Sequence, residues 1–367
     1  MNRSTFTRRS ILTAPAILKA AQGSGKLRVA FVGVGNRGSF LLKNMLEVEG
    51  VEVVGVADIL EERARAGAAA VEAKGGKARV WTDFRRMLDQ DKSIDAVVLA
   101  TPDFTHKDFD IAILEMGKHL YAEKPLALTV EDARAVVTAA GQAKGIMQVG
   151  FQLRHDPRRN AAMNHIKSGG IGQVLMCHGI RHGGDLPRDI PWYFDKTKCG
   201  DIVVDQGIHI LDLFRWAIGA PPVRCYGSGG TKLFVNDPPG RTVMDHYSLI
   251  LEYPGDVKVN FSHHYFDPPG FTGIQERVFG SEGSVDLINA AFYPRKERRK
   301  VELAVPDAGK DSTYMALAAF VENVKQGKKP LNNATSAMES TIQALMGTRS
   351  IYEKRVVTWL EMTDGRG

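Results

Sequence analysis

The chain has 367 residues, 44% of them hydrophobic and 25% charged, with a formal net charge of +6. That length exceeds one compact core and fits two domains of ordinary globular composition, and no apolar run approaches the about 20 residues that span a bilayer, so no membrane partner is expected. Nor does the charge mark a nucleic-acid surface: residues 1–21 carry Arg3, Arg8, Arg9 and Lys19 with no acid, which leaves only +2 (6 − 4) for the rest, and no basic stripe is interleaved with aromatics.

Residues 1–25 read as a leader. Thr7-Arg8-Arg9-Ser10-Ile11-Leu12 resembles the twin-arginine export signal of bacteria. A short apolar stretch, 11–18, follows it, and Ala20-Ala21 offers small residues for a signal peptidase. Periplasmic export of the folded protein is the expectation, with a basic tail on a cytoplasmic enzyme as the alternative. Cys177, Cys199 and Cys225 are odd in number and widely spaced, which supports neither a disulfide framework nor a C-x-x-C zinc site.

Residues 26–151 read as a Rossmann domain. The run 27–32 is apolar and branched, as in a buried parallel strand. Gly33-Val34-Gly35-Asn36-Arg37-Gly38 follows at once, then an amphipathic helix with Phe40, Leu41, Met45 and Leu46. That strand–turn–helix context separates a dinucleotide fingerprint from a chance G-x-G-x-x-G. Gly33 permits the tight turn, Gly35 the close approach of a pyrophosphate, and Gly38 the packing of helix on strand. A second strand, 51–57, ends in Asp58, which lies 20 residues beyond Gly38, where a carboxylate accepts the ribose hydroxyls. NAD is therefore favoured; Arg63 and Arg65 keep NADP as the alternative. Further strands are predicted at 78–81, 95–100, 119–122 and 147–151, with helices between them. Two of those helices carry N-cap signals, Thr105 with Asp108 and Thr129 with Asp132. Repeated βα units imply a doubly wound parallel sheet with ligands beyond its carboxyl ends. Thr101, Pro102 and His106 then lie near the cofactor, and Glu123 and Lys124 near its nicotinamide.

Residues 152–367 read as a second α/β domain for substrate and self-association. A helix is predicted at 160–168 and strands at 173–181, 243–253, 257–264, 274–280 and 285–288, several with strict alternation. Residues 183–200 are polar and turn-rich, as suits a substrate loop. The basic run Lys296, Arg298, Arg299, Lys300 reads as a solvated hairpin. Helices at 314–325 and 334–352 complete the domain. One exposed sheet face of this size leads to the expectation of a homo-oligomer.

Together these pieces resemble the glucose–fructose oxidoreductase, inositol dehydrogenase and MocA family. The similarity runs from about residue 26 to the C-terminus. It rests on Gly33–Gly38, on Ala100-Thr101-Pro102 with His106, and on Ala122-Glu123-Lys124-Pro125. It continues through Gly150-Phe151-Gln152 with Arg154, Gly172-Gln173-Val174, and Asp205-Gln206-Gly207-Ile208-His209 to Asp212 and Trp216. The resemblance implies an open, largely antiparallel sheet after the Rossmann domain, a sugar, cyclitol or related substrate, and a catalytic group of Lys124, Asp205 and His209.

Chemistry gives those residues roles. Oxidising a secondary alcohol removes a hydroxyl proton as hydride leaves carbon, and a base near neutrality serves best. His209 is the expected proton acceptor. Asp205, four residues earlier on one helical face, would bind and orient a substrate hydroxyl. Lys124 would contact the reacting oxygen. Gly207 is read as leaving room for cofactor or substrate. Arg154, His182, Trp192 and Tyr193 are the candidate substrate contacts. No histidine spacing matches a metal pattern, so no metal is expected. The alternatives are a redox-assisted glycosidase or lyase with tightly held NAD, and a dinucleotide-binding scaffold without turnover.

Overall fold

Branched residues in short runs, each closed by a glycine or a capped helix, set up the first half of the chain. The structure, a computed structural model, describes residues 25–271, 273–307 and 309–364; the leader reading falls outside these residues. Strands β1 (Leu27–Val32), β2 (Val51–Ala57), β3 (Arg79–Trp81), β4 (Ala96–Leu99), β5 (His119–Ala122) and β6 (Met147–Val149) form a parallel sheet in the order β3-β2-β1-β4-β5-β6. Helices α1 (Asn36–Met45), α2 (Glu61–Glu72), α3 (Phe84–Gln90), α4 (His106–Glu115) and α5 (Val130–Gln142) make the crossovers. The strand order reverses between β1 and β4, so their following loops part and leave a crevice. Thr129 caps α5 as expected, accepting from the Asp132 amide at 3.0 Å. Thr105 does not cap α4; its hydroxyl donates to the Pro102 carbonyl in a 3-10 turn at 103–105.

The second half folds as helix α6 (Pro157–Lys167), strand β7 (Val174–His182), a short helix α7 (Lys196–Cys199) and helix α8 (Ile208–Ile218). Strands β8 (Arg224–Gly230), β9 (His246–Glu252), β10 (Lys258–His264), β11 (Ile274–Gly280), β12 (Gly283–Asp286), β13 (Ala291–Pro294) and β14 (Val301–Glu302) follow. Helices α9 (Ser312–Gln326) and α10 (Ala334–Glu353), strand β15 (Val357–Thr358) and helix α11 (Trp359–Asp364) end the chain. The sheet runs β14-β13-β12-β11-β7-β10-β9-β8-β15; β7 and β10 are parallel and every other pair antiparallel. Helices α8 and α10 cover one face. The other is open, with Tyr226 and Ile250 exposed on alternate positions.

Strand β8 has no sequence signal because three of its seven residues are glycine, which weakens a strand. Packing requires two of them: a Cβ on Gly227 would fall 2.6 Å from Leu249 and 2.7 Å from Ile351 of α10, and one on Gly229 would fall 2.6 Å from the His246 carbonyl. The basic run is exposed between β13 and β14, as a hairpin tip.

The domain division has one revision. Ala316, Leu317, Phe320 and Val321 of α9 are buried with Val29, Phe31, Val98 and Tyr121 of the Rossmann core. A C-terminal helix thus completes the N-terminal domain, and the chain then leaves again for α10.

Candidate active site

The glycine turn is built as its residues demand. Gly33 sits at φ +80°, where a side chain is strained, and a Cβ there would meet the Ala100 carbonyl at 2.7 Å. A Cβ on Gly38 would lie 2.0 Å from the Gly33 carbonyl, so helix and turn pack without room for one. Gly35 caps α1 without any side-chain hydrogen bond, and the first turn carries no acid. Those N-terminal amides are left to an outside acceptor, which fits a pyrophosphate. Asp58 accepts from the Val34 amide at 2.9 Å and the Leu60 amide at 3.0 Å, so it also fixes the turn.

From this turn a cavity of about 820 Å³ runs across the carboxyl ends of β1, β2 and β4 into the second domain. Gly33, Gly35, Asn36, Arg37, Asp58, Thr101 and Pro102 line it toward the turn, and Glu123, Lys124, Asp205 and His209 toward the second domain. Trp192 and Tyr193 wall it from residues 189–193. Asp189 of that segment accepts from the Asn36 side chain, a contact between the glycine turn and the second domain.

Lys124 follows β5 and reaches Asp205 twice, donating to its carbonyl at 2.8 Å and its Oδ1 at 3.0 Å. Burial alone would lower the Lys124 pKa, but the carboxyls of Asp205, Asp103 and Glu123 outweigh it and hold it above its usual value. The ammonium stays charged. Asp205 lies in a π-helical turn, Val203–Gly207, that runs straight into α8, and His209 stands in the first turn of α8. A single π turn in a helix re-aims the residues on it, and here both side chains line the same cavity. Burial, then the nearby cations Lys124, Arg181, Arg37 and Arg159, push the His209 pKa well below its usual value. Its Nδ1 is buried and has no partner among the described residues. A neutral imidazole beside a charged ammonium can take a proton while the ammonium stabilises the oxygen it leaves.

Two family-model matches decide what this arrangement belongs to. Residues 27–151 match the model of an oxidoreductase family with an NAD-binding Rossmann fold, and residues 160–286 match the GFO/IDH/MocA C-terminal domain. The chain belongs to the GFO/IDH/MocA family. It is an oxidoreductase with an NAD-binding domain. It is 30% identical over 347 residues to scyllo-inositol 2-dehydrogenase (NAD(+)) of Bacillus subtilis, covering 88% of this chain and 92% of that protein. It is 36% identical over 263 residues to inositol 2-dehydrogenase 2 of Saccharopolyspora erythraea, covering 71% and 73%. An oxidoreductase domain protein from Kribbella flavida shares the fold at a TM-score of 0.81 and 22% identity, over 91% of this chain and 99% of that one.

Three of the sequence-chosen site residues stand elsewhere. His106 is fully buried, its ring spanning the carbonyl oxygens of Thr101 at 2.9 Å and Pro125 at 2.7 Å. It ties together the loops that carry Thr101 and Lys124 rather than facing a ligand. Arg154 is buried in a two-pronged pair with Asp212, both bonds 2.7 Å, so its guanidinium is already used inside the protein. His182 ends β7 on the face away from the cavity, where its ring stacks on His264. His182, His264 and Asp267 form one cluster of ligating types, but the Phe266 amide donates to His264 Nδ1 at 3.3 Å, which leaves the Nε2 proton facing Asp267 at 3.2 Å. Gly207 is also explained differently. A Cβ there would fall 2.1 Å from the Tyr247 hydroxyl, so packing and not a ligand excludes it.

Glu123 and Arg37 line the cavity but hold each other, Arg37 Nε to Glu123 Oε1 at 2.7 Å. Sequence reasoning did not single out Asp103, a buried cavity-lining carboxyl beside Asp205. Burial, then the Asp205 carboxylate, raise its pKa well above the carboxylate range, against the pull of Lys124. The T-P-D sequence ahead of His106 could have pointed to it. Nothing local could have pointed to Asp189.

Proposed function

We propose that the chain oxidises a secondary hydroxyl of a cyclitol, sugar or derivative, passing the hydride to NAD. The supporting observation is the meeting of Lys124, Asp205 and His209 in the cavity that begins at the glycine turn. Bound NAD supplies the hydride acceptor. His209, neutral and with Nδ1 open, accepts the hydroxyl proton. Lys124 keeps its charge and stabilises the developing alkoxide. Asp205 holds Lys124 in place and takes a hydrogen bond from a substrate hydroxyl. Trp192 and Tyr193 close the site against water. The names of the inositol dehydrogenases it resembles favour a polyhydroxylated ring.

The test supplies purified protein with NAD and a panel of inositols and aldoses and follows NADH. Turnover that disappears in the Lys124→Ala, His209→Ala double variant is expected. Full activity in that variant would sink the reading, and so would the absence of NADH with every polyol offered. A second reading, redox-assisted bond cleavage with NAD retained, draws support from the Asn36–Asp189 contact across the cofactor cavity. Release of nitrophenol from nitrophenyl glycosides without net NADH would select it.

Two further readings accompany this one. Arg8 and Arg9 support twin-arginine export, tested by changing both to Lys and fractionating cells. The open sheet face, with Tyr226 and Ile250 exposed, supports a homo-oligomer, tested by the mass in solution.

A further inference from the structure

Arg181 is a cation without a counter-ion among the described residues. It stands one residue before the end of β7, opposite His263 in parallel register, and His263 is in turn opposite Tyr247 of β9. These three point to the cavity side of the sheet, since His182 and His264 occupy the other face. The Arg181 guanidinium donates to Gln206 Oε1 at 2.6 Å. Gln206 lines the cavity together with Lys124 and His209 and donates to Asp205 Oδ2 at 2.7 Å. Arg181 is therefore one hydrogen bond from the floor of the site.

Charges taken out of water are normally paired, and Arg181 is partly buried. Among the described residues no carboxylate oxygen comes within 4.0 Å of Arg181. Gln206 is also its single side-chain hydrogen-bond partner there. Its other neighbours offer no anion: His263, Tyr247 and Tyr265 are neutral side chains. Asp205, which Gln206 links to Arg181, is already taken by Lys124 and by the Gln206 amide. Arg37 and Arg159, the other arginines that act on His209, each have their own carboxylate, Glu123 and Glu276. Among the described residues the substrate end thus adjoins one uncompensated positive charge, on a planar guanidinium that Gln206 connects to the cavity.

We propose that the substrate brings the missing anion: it is a carboxylate-bearing polyol, a uronic or aldonic type of sugar acid, whose carboxylate docks on Arg181. This rests on the dehydrogenase reading above and narrows its substrate class. The single charge fits a carboxylate, which a guanidinium grips with two parallel bonds; a phosphate dianion would call for a second cation. The acid end at Arg181 and the reacting hydroxyl at Lys124 and His209 fix the sugar at two points, so one ring carbon faces the nicotinamide.

The experiment compares kcat/KM for matched pairs, glucose with glucuronate and galactose with galacturonate, at fixed NAD. A charged hydrogen-bonded contact predicts a preference for the acid of about 10–100-fold. In Arg181→Met and in Arg181→Gln the acid-to-neutral ratio is expected to fall toward one, chiefly through KM, with Arg181→Lys between. Retained NADH binding identifies the variant that is folded. A wild-type ratio near one, or a ratio the folded variants leave unchanged, overturns the acid assignment while leaving an alcohol dehydrogenase. No NAD-linked oxidation of any alcohol overturns the dehydrogenase reading itself.

Discussion

Lys124 Nζ grips Asp205 by two different oxygens, the backbone carbonyl at 2.8 Å and the carboxylate at 3.0 Å. One end of the cavity is thus pinned across the domain boundary: Lys124 belongs to the Rossmann half and Asp205 to the second. The double contact restricts where the ammonium can go, which a single exposed pair would not do. It also means that the proposed catalytic centre exists only while the two domains are docked.

Removing that grip should separate binding from turnover. Lys124→Met is expected to lower kcat by about 10²–10⁴-fold, the range for a positioned acid–base or electrostatic group. NADH affinity should change little, because the turn and Asp58 are untouched. Stopped-flow turnover with a parallel NADH fluorescence titration checks both halves of the prediction.

Asp110 on α4 predicts an unusual pH dependence. It is fully buried, neither carboxyl oxygen has a partner among the described residues, and burial raises its pKa well above the usual range. A folded-state pKa above the unfolded one gives stability that is intact below about pH 4 and lost as pH rises toward the folded value. Asp110→Asn cannot ionise, so its advantage over the wild type should grow with pH, reaching roughly 1–3 kcal/mol near neutrality. Urea unfolding of both proteins from pH 4 to pH 8 measures this. A difference that stays constant across the range contradicts the assignment.

Arg154 should matter for stability rather than for substrate. Its side chain is 3% exposed and that of Asp212 2%, so Arg154→Met takes two short bonds from a buried carboxylate and leaves it only the Ser340 hydroxyl at 2.5 Å and Arg215 at 3.9 Å. A loss of about 3–5 kcal/mol in unfolding free energy is expected. If KM rises instead while stability holds, the residue does touch substrate.

Gly207 and Tyr247 should behave as a pair. Gly207→Ala places a Cβ against the Tyr247 hydroxyl and is expected to cost about 1–3 kcal/mol through overpacking. Tyr247→Phe removes that hydroxyl, which is buried and without a partner among the described residues, and the double variant should recover most of the loss. A double-mutant cycle on thermal unfolding reads the coupling. Additive losses would place the constraint elsewhere.

The parallel sheet could be read from the sequence because its signals are local. A branched run, a glycine turn and a helix start lie side by side, and Asp58 falls at the spacing the fold dictates. Lys124, Asp205 and His209 were recognisable through resemblance, and the structure gathers them in one cavity. Residue type failed where a polar side chain serves the fold. His106 and Arg154 look like ligand contacts in a string of letters, but their partners are the Thr101 and Pro125 carbonyls and Asp212, distant in sequence or in backbone atoms that no pattern displays. Arg181 and His182 are neighbours in β7, and in a strand one residue is the opposite face, so residue type alone cannot say which of the two is turned toward the cavity side. Strand β8 and the Asn36–Asp189 contact were invisible because their causes, the approach of α10 and the return of a loop 153 residues away, are tertiary.

The return of α9 to the Rossmann core has a mechanical consequence. Phe320 packs edge-on against Tyr121 at 5.8 Å, the Gln148 side chain donates to the Ala316 carbonyl at 2.8 Å, and Asn332 reaches the Val149 carbonyl. The chain therefore passes between the two domains three times: after β6, before α9 and after α9. A protease cut between β6 and α6 would leave two fragments still clasped together. The N-terminal fragment alone would bare Tyr121 and the β1 side chains that α9 covers. With three tethers at the seam, any movement of one domain against the other has to bend the chain at three places at once.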